Sequence, residues 1–296
     1  MSGCRVAPGG MHLGHVYGCF HGFKSQVDGE YFFVLSDCGA GNAEQNLVDT
    51  AHAGIAAASI HQIPNAMFVR ESKIRPYLYD IFHRLLDCST VADLRSTHPR
   101  GDDMLSGKIS PSVSEFLFPC HQASFMLGLQ ANIAVFNDDN KAFVNYARRL
   151  ARRAAQRWQQ AKPVVPLLIE RDFGRLLGWN GNRMSKANDN VLLLASTHPK
   201  VWRFAQNFVR HYLVNPSPTL ARPYEAMFPG FVDVLTGNEP DIEQRLGNFI
   251  WNSLAPYRAA TAALSGANFS VDGHLAFSER RAIEVIRSHP WVLNLK

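Results

Sequence analysis

A short glycine-rich turn near the amino end carries the residue types best suited to chemistry. The stretch Pro8–Gly10 is followed after one residue by His12, and then by Gly14 and His15. Glycine lets the backbone come close to a ligand, and the free N–H groups at a helix start face any nearby phosphate. Two histidines three residues apart lie on one helix face. The pattern predicts a phosphate-binding turn, although a helix start with two surface histidines fits the same residues.

A second candidate segment lies far downstream, at residues 181–188. It reads Gly-Asn-Arg-Met-Ser-Lys-Ala-Asn and contains Arg183 and Lys186. Positive side chains in a loop can neutralise the charge of nearby phosphate groups. The segment is therefore a second candidate for phosphate binding.

Strands and helices alternate through the first two thirds of the chain. Apolar runs predict strands at 31–35, 66–70 and 133–136, and helical patterns fall at 11–23, 46–58, 76–86, 116–129 and 141–161. Such alternation is typical of a parallel sheet with crossover helices. After Pro199 only helical patterns follow, at 201–212, 240–254 and 279–288. We therefore expect an α/β domain over 1–195 and an all-α C-terminal domain over 196–296.

Composition limits the class of protein. The chain has 296 residues, 46% of them hydrophobic and 19% charged, with a net charge of +5 that permits a polyanionic partner. Its five cysteines form no C-x-x-C pair and leave an odd one, which predicts a reduced, cytoplasmic protein without a zinc site. Neither a membrane-spanning apolar run nor a signal peptide is expected.

Two polar features leave alternatives open. Residues 89–114 are polar and rich in proline and glycine, and fit a long loop or a weak helix. On the helix predicted after them, Arg149, Arg153 and Arg157 recur every four residues and form one basic stripe. This stripe fits either a solvated helix face or a contact with RNA.

The two candidate segments resemble the HIGH and KMSKS signatures of class I aminoacyl-tRNA synthetases. They stand in that family's order, at a spacing that fits its smallest members, the tryptophanyl and tyrosyl enzymes. Further segments resemble the tryptophanyl enzymes, namely residues 31–37, 118–124, 133–140, 176–181 and 254–258. The resemblance covers most of the chain at low identity. It implies a Rossmann-type ATP-binding domain, the cofactors ATP and Mg²⁺, an amino acid and tRNA as partners, and a homodimer.

The resemblance also assigns roles residue by residue. The carboxylate of an amino acid would attack the α-phosphorus of ATP, and catalysis would consist of positioning and charge neutralisation. Asp139 would take the ribose hydroxyls of ATP. The residues expected to act on the phosphates are His12, His15, Arg183 and Lys186, and those expected to hold the nucleotide beside them are Gly9, Gly14, Met184 and Ser185.

The amino-acid half departs from the family pattern. Phe125 stands where the tryptophanyl enzymes have an aspartate that accepts the indole N–H, and phenylalanine cannot accept it. Phe118 replaces a tyrosine and Asn140 replaces a glutamine. His121 and Gln122 are nearby polar groups that could recognise a different substrate. These five positions are the expected substrate-binding residues, although His121 and Gln122 also fit a half-buried helix face.

Three functions remain open from the sequence. The chain could charge tRNA with tryptophan or a related amino acid. It could instead adenylate a different amino acid in a specialised pathway. It could also bind a nucleotide or RNA without catalysis, a possibility that the histidine and lysine segments argue against.

Overall fold

A parallel sheet surrounded by helices positions both candidate segments. The computed structural model describes residues 1–6, 8–21, 23, 29–38, 44–135, 140–169, 174–237, 240–266 and 269–292. The strands are β1 (Ser2–Arg5), β2 (Tyr31–Ser36), β3 (Ala66–Arg70), β4 (Ile133–Val135) and β5 (Leu167–Ile169). The helices of the first part are α1 (Leu13–Cys19), α2 (Glu44–Ile60), α3 (Glu71–Ile74), α4 (Tyr79–Asp87), α5 (Val91–Thr97), α6 (Gly101–Leu105), α7 (Val113–Phe116), α8 (Phe118–Gly128) and α9 (Lys141–Trp158). Those of the second part are α10 (His198–Val214), α11 (Pro218–Met227), α12 (Phe231–Thr236), α13 (Ile242–Ser253), α14 (Ala255–Gly266) and α15 (Val271–Arg287).

The strand order reverses at the first strand. β1 pairs in parallel with β2 and β2 with β3, while β4 pairs in parallel with β5. Met1 joins the two groups, because its amino group donates to Ile133 O and its carbonyl accepts from Val135 N, at 2.8 and 2.9 Å. The spatial order is therefore β3-β2-β1-β4-β5. In such sheets ligands bind beyond the carboxyl ends of the strands, where the order reverses.

The sheet separates two apolar clusters. Along β2, Tyr31, Phe33 and Leu35 face one cluster, which also holds buried residues of α1, α2 and α10. Phe32 and Val34 face the other, which holds buried residues of α4, α8 and α9. This alternation is the period of two expected of a strand buried on both faces.

Only helices follow Leu193 in the described part of the chain, in agreement with the sequence. They share the core of the sheet: α14 packs on α2, and α15 packs on β3. Arg70 at the end of β3 pairs with Glu279 of α15. The division at 195/196 therefore stays a prediction.

The predicted α/β class and the parallel sheet are confirmed, with differences in detail. β5 was not predicted, because its three residues follow a proline and carry no alternating pattern. The polar stretch 89–114 contains two short helices and the start of a third, and the first begins with a reciprocal capping box between Thr90 and Asp93. α1 begins two residues later and ends four residues earlier than predicted. Within the described residues no helix has the length and hydropathy needed to cross a membrane.

Candidate active site

The glycine-rich turn leaves β1 at the carboxyl edge of the sheet, beside the point where the strand order reverses. Gly9 and Gly10 have φ of 76° and 72°, which favours glycine. A Cβ atom at Gly9 would lie 2.9 Å from Leu193 Cδ1, and one at Gly10 would lie 3.2 Å from Asp49 O. Both glycines are thus needed for the backbone course and for close packing.

The two histidines lie together at the start of α1. His12 is the N-cap residue of this helix, and its ring stacks on that of His15 with centroids 3.8 Å apart. Burial lowers the pKa of His12 well below its usual range and the pKa of His15 to about 4. Both rings are therefore neutral near pH 7. Their Nδ1 atoms are buried without a hydrogen-bond partner among the described residues.

The predicted lysine segment forms part of a larger loop, residues 177–190, which we call the lysine loop. It opens as a tight hairpin in which Leu177 bridges Arg183 and Gly178 N donates to Asn182 O at 2.8 Å. A 3-10 turn at Lys186–Asn188 follows near the end of the loop. The chain then passes the glycine-rich turn, where Leu13 N donates to Leu192 O at 2.9 Å.

The lysine loop and the glycine-rich turn are in direct contact. Lys186 Nζ donates to the backbone oxygens of Pro8 and Gly10, the latter at 2.7 Å. Burial lowers the pKa of Lys186. Met184 is buried, and its Sδ lies 3.4 Å from the position of a Cβ at Gly14. The charges of Lys186 and Arg183 add to burial in lowering the pKa of His15.

A buried residue that the sequence pattern did not reveal holds the lysine loop in shape. Asn190 is fully buried. Its Oδ1 accepts from Ser185 N at 2.8 Å, and its Nδ2 donates to Asn180 Oδ1 and to Arg183 O at 2.8 and 3.0 Å. A lone asparagine between a turn and an apolar run is typical of an ordinary loop residue, so no sequence pattern indicates this role.

The predicted substrate residues on α8 have a different environment. Phe125 is 2% exposed and belongs to the apolar cluster on the opposite face of the sheet from α1. His121 stacks on Phe82 with ring centroids 4.2 Å apart and accepts a hydrogen bond from Arg75 Nη2 at 2.9 Å. Burial lowers the pKa of His121 to about 4. Phe118 packs edge-on against Phe143.

The other two predicted substrate residues lie on different helices. Gln122 is half-buried on α8, and Asn140 is the N-cap residue of α9. Asp139, the expected ribose ligand, lies outside the described residues. The structure thus brings together the glycine, histidine, methionine and lysine positions, and it places Phe125 on the other face of the sheet.

The arginine stripe on α9 is tied to neighbouring elements. Arg153 Nη1 lies 2.6 Å from Asp93 Oδ2, and Arg149 lies 3.9 Å from the same carboxylate. Arg157 donates to Asp87 O at 2.6 Å, at the end of α4. These contacts favour a structural role for the stripe.

Known proteins share both sequence and fold with this chain. A family described as tRNA synthetases class I (W and Y) matches residues 65–212. The tryptophan–tRNA ligase of Borreliella burgdorferi is 24% identical over 198 residues, 63% of this chain and 56% of the relative. The chain thus aligns with little more than half the length of this curated relative.

Solved structures match over nearly the whole chain. Tryptophanyl-tRNA synthetase from Mycoplasma pneumoniae superposes with a TM-score of 0.73 and 16% identity, covering 97% of this chain and 94% of that one. The enzyme from Campylobacter jejuni, complexed with ADP and tryptophan, gives a TM-score of 0.71 and 16% identity, covering 97% and 96%. At such identity these matches show a common fold. With the family match over 148 residues, half of the chain, they lead to one conclusion: the chain belongs to the class I tRNA synthetases of the tryptophan and tyrosine family.

Proposed function

We propose that this protein activates an amino acid with ATP to form an aminoacyl adenylate, and transfers the aminoacyl group to tRNA. One observation carries the proposal. The Lys186 ammonium lies on the backbone of the glycine-rich turn, although 176 residues separate it from Gly10. A cation, two neutral imidazoles and a glycine turn at the switch point of a parallel sheet together suit a triphosphate.

The reaction needs no side-chain nucleophile. An oxygen of the amino-acid carboxylate attacks the α-phosphorus, a new P–O bond forms, and the bond to the bridging oxygen breaks as pyrophosphate leaves. Lys186 and Arg183 would neutralise the charge on the departing phosphates. His12 and His15, kept neutral by burial, would each donate one hydrogen bond to phosphate oxygens without adding charge.

Binding of ATP requires Lys186 to exchange partners. Its ammonium group now donates to two neutral carbonyl oxygens. An anionic phosphate oxygen adds attraction between opposite charges to the hydrogen bond from the ammonium group, so phosphate oxygens would compete well. Among the described residues no three histidine, cysteine or acidic side chains cluster as a metal site. We propose that Mg²⁺ arrives as part of the MgATP substrate, since magnesium in such sites is commonly held by phosphates and waters.

The identity of the amino acid depends on the other half of the site. Tryptophan, or a related aromatic amino acid, is the first candidate, because the matched family is that of the tryptophan and tyrosine enzymes. A second candidate is a different amino acid. Phe125 favours it, because the buried phenyl ring offers no acceptor to an indole N–H and a site that lacks this bond discriminates weakly.

ATP–pyrophosphate exchange, measured with each of the twenty amino acids in turn, tests the proposal. We expect exchange with at least one of them. Exchange with tryptophan alone would support the first candidate and remove the argument from Phe125. ATP binding without exchange for any amino acid would contradict the proposed activation.

Transfer to tRNA and assembly are further parts of the proposal. The net charge of +5 suits a polyanionic partner. Aminoacylation of total tRNA with the activated amino acid in labelled form should give labelled aminoacyl-tRNA.

We also propose a cytoplasmic homodimer, which light scattering should detect as twice the 33.0 kDa chain mass.

A further inference from the structure

We propose that Asn190 is a positioning residue that fixes the lysine loop in the shape that delivers Lys186 and Arg183 to the triphosphate. The expected effect on adenylate formation rests on the proposed function. The hydrogen bonds by which Asn190 holds the loop do not depend on it.

The amide group of Asn190 makes three hydrogen bonds, all within the lysine loop. Its oxygen accepts from Ser185 N, the residue directly before Lys186. Its nitrogen donates to Asn180 Oδ1 and Arg183 O, the second of which belongs to a cationic residue of the loop. One side chain thus fixes the loop at three points, five, seven and ten residues upstream.

The rest of the loop packs closely around Asn190. A Cβ at Gly178 would lie 2.4 to 2.6 Å from atoms of Asn190, so the hairpin lies directly against it. The preceding residue is also held, because Trp179 Nε1 donates to Asp189 O at 3.2 Å. Because Asn190 is fully buried, water cannot replace a bond that is lost there.

The hydrogen-bonding pattern distinguishes asparagine from aspartate. Asn180 Oδ1 and Arg183 O are both acceptors, and only an N–H₂ group can serve both. Asn190→Asp keeps the side-chain volume and the acceptor for Ser185 N, but it turns an oxygen toward two acceptors. Asn190→Ala removes all three bonds. Misplacement of a catalytic group by about 1 Å can lower a rate about 100-fold.

The experiment compares Asn190→Asp and Asn190→Ala with a matched control, Asn252→Asp. Asn252 is exposed on α13 and lies outside the lysine loop. We expect both Asn190 variants to form adenylate about 10- to 100-fold more slowly, with the KM for the amino acid changed less than about 3-fold. The control should stay within about 3-fold of the wild type in both quantities. A purely structural role would lower the melting temperature and leave the turnover of the folded fraction unchanged.

Hydrogen exchange provides a readout independent of activity. The Ser185 amide should exchange about 10-fold faster or more in Asn190→Ala, since its acceptor is gone, and should stay protected in Asn252→Asp. If Asn190→Asp does not fold, Asn180→Ala removes one of the three bonds from the other end, and should slow adenylate formation about 3- to 10-fold.

Two results would overturn the inference. One is a folded Asn190→Asp variant that forms adenylate within 3-fold of the wild-type rate. The other is a Ser185 amide that remains equally protected in Asn190→Ala. If the wild-type protein shows no exchange with any amino acid, the proposed function fails, and the Ser185 amide still decides whether Asn190 holds the loop.

Discussion

The two halves of the candidate site differ in whether their buried polar atoms have hydrogen-bond partners. Around the glycine-rich turn, polar atoms of His12 and His15 are buried without partners among the described residues, and Lys186 donates to backbone oxygens that a ligand can replace. Along α8, polar atoms pair with one another, as Arg75 does with His121, and Phe125 packs among apolar side chains. Unpaired buried polar atoms cost free energy unless a ligand pairs with them. We therefore expect a ligand to bind at the first half, whereas the second half has the pairing typical of a protein interior.

The largest effect should come from removing the cation of the first half. Lys186→Ala should slow adenylate formation about 1,000-fold, which corresponds to about 4 kcal/mol, because the charge on the departing phosphates loses its partner. The melting temperature should fall by no more than about 3 °C. Lys200→Ala on the exposed start of α10 is the control, and pyrophosphate exchange measures both variants. If Lys186→Ala forms adenylate within 10-fold of the wild-type rate, the lysine loop is not part of the active site.

Truncation of Phe125 should lower the stability of the fold rather than weaken the binding of ATP. Phe125→Ala should lower the free energy of unfolding by about 3 kcal/mol, because it leaves a cavity in the apolar cluster. Urea denaturation measures the loss, and Phe118→Ala, at a more exposed ring of the same helix, should cost about 1 kcal/mol or less. A large change in the KM for the amino acid without loss of stability would place Phe125 in the substrate pocket instead.

The two halves should share one pH dependence. His15 and His121 have pKa values lowered by burial to about 4, whereas an unfolded imidazole titrates near 6.5. Below pH 6.5 the unfolded chain binds more protons, so the free energy of unfolding should fall between about pH 6.5 and 4, by up to about 1.4 kcal/mol per pH unit for each histidine. His15→Gln and His121→Gln should each flatten the slope in urea titrations. Slopes equal to that of the wild type in both variants would contradict the burial effect.

The smallest effect should come from the arginine stripe. Arg153 is 45% exposed and pairs with Asp93, and exposed ion pairs contribute about 1 kcal/mol or less. Arg153→Ala should therefore lower the free energy of unfolding by less than about 1 kcal/mol in urea, with Arg152→Ala as the exposed neighbour for comparison. A loss above 2 kcal/mol would show that the α5–α9 contact depends on this pair.

The sequence predicted the parts of the fold that follow from local pattern. Apolar runs located β2, β3 and β4, and the glycine-rich and lysine segments are in contact, as one shared site requires. β5 has three residues, too few to show the alternation of side chains that identifies a strand. Helices α5 and α7 begin with side-chain caps from Thr90 and Ser112, whereas the proline and glycine content of this stretch is typical of a loop.

The sequence could not predict features that arise from contacts distant along the chain. Nothing near Asn190 indicates that its amide would be enclosed by Gly178 and Asn180. The assignment of Phe125 to a substrate site came from alignment with a family motif, and only the packing of α8 against the sheet reveals how deeply that ring is buried. Roles that depend on tertiary burial were the least predictable.

A double-mutant cycle between His15 and Lys186 tests most directly whether the two distant segments form one triphosphate site. Adenylate formation would be measured for the wild type, His15→Gln, Lys186→Ala and the double variant, with Lys200→Ala replacing Lys186→Ala in a parallel control cycle. Groups that act on the same phosphates should show a coupling energy of about 1 kcal/mol or more, while the control cycle should be additive within about 0.5 kcal/mol. Additive effects of His15→Gln and Lys186→Ala would contradict a shared site.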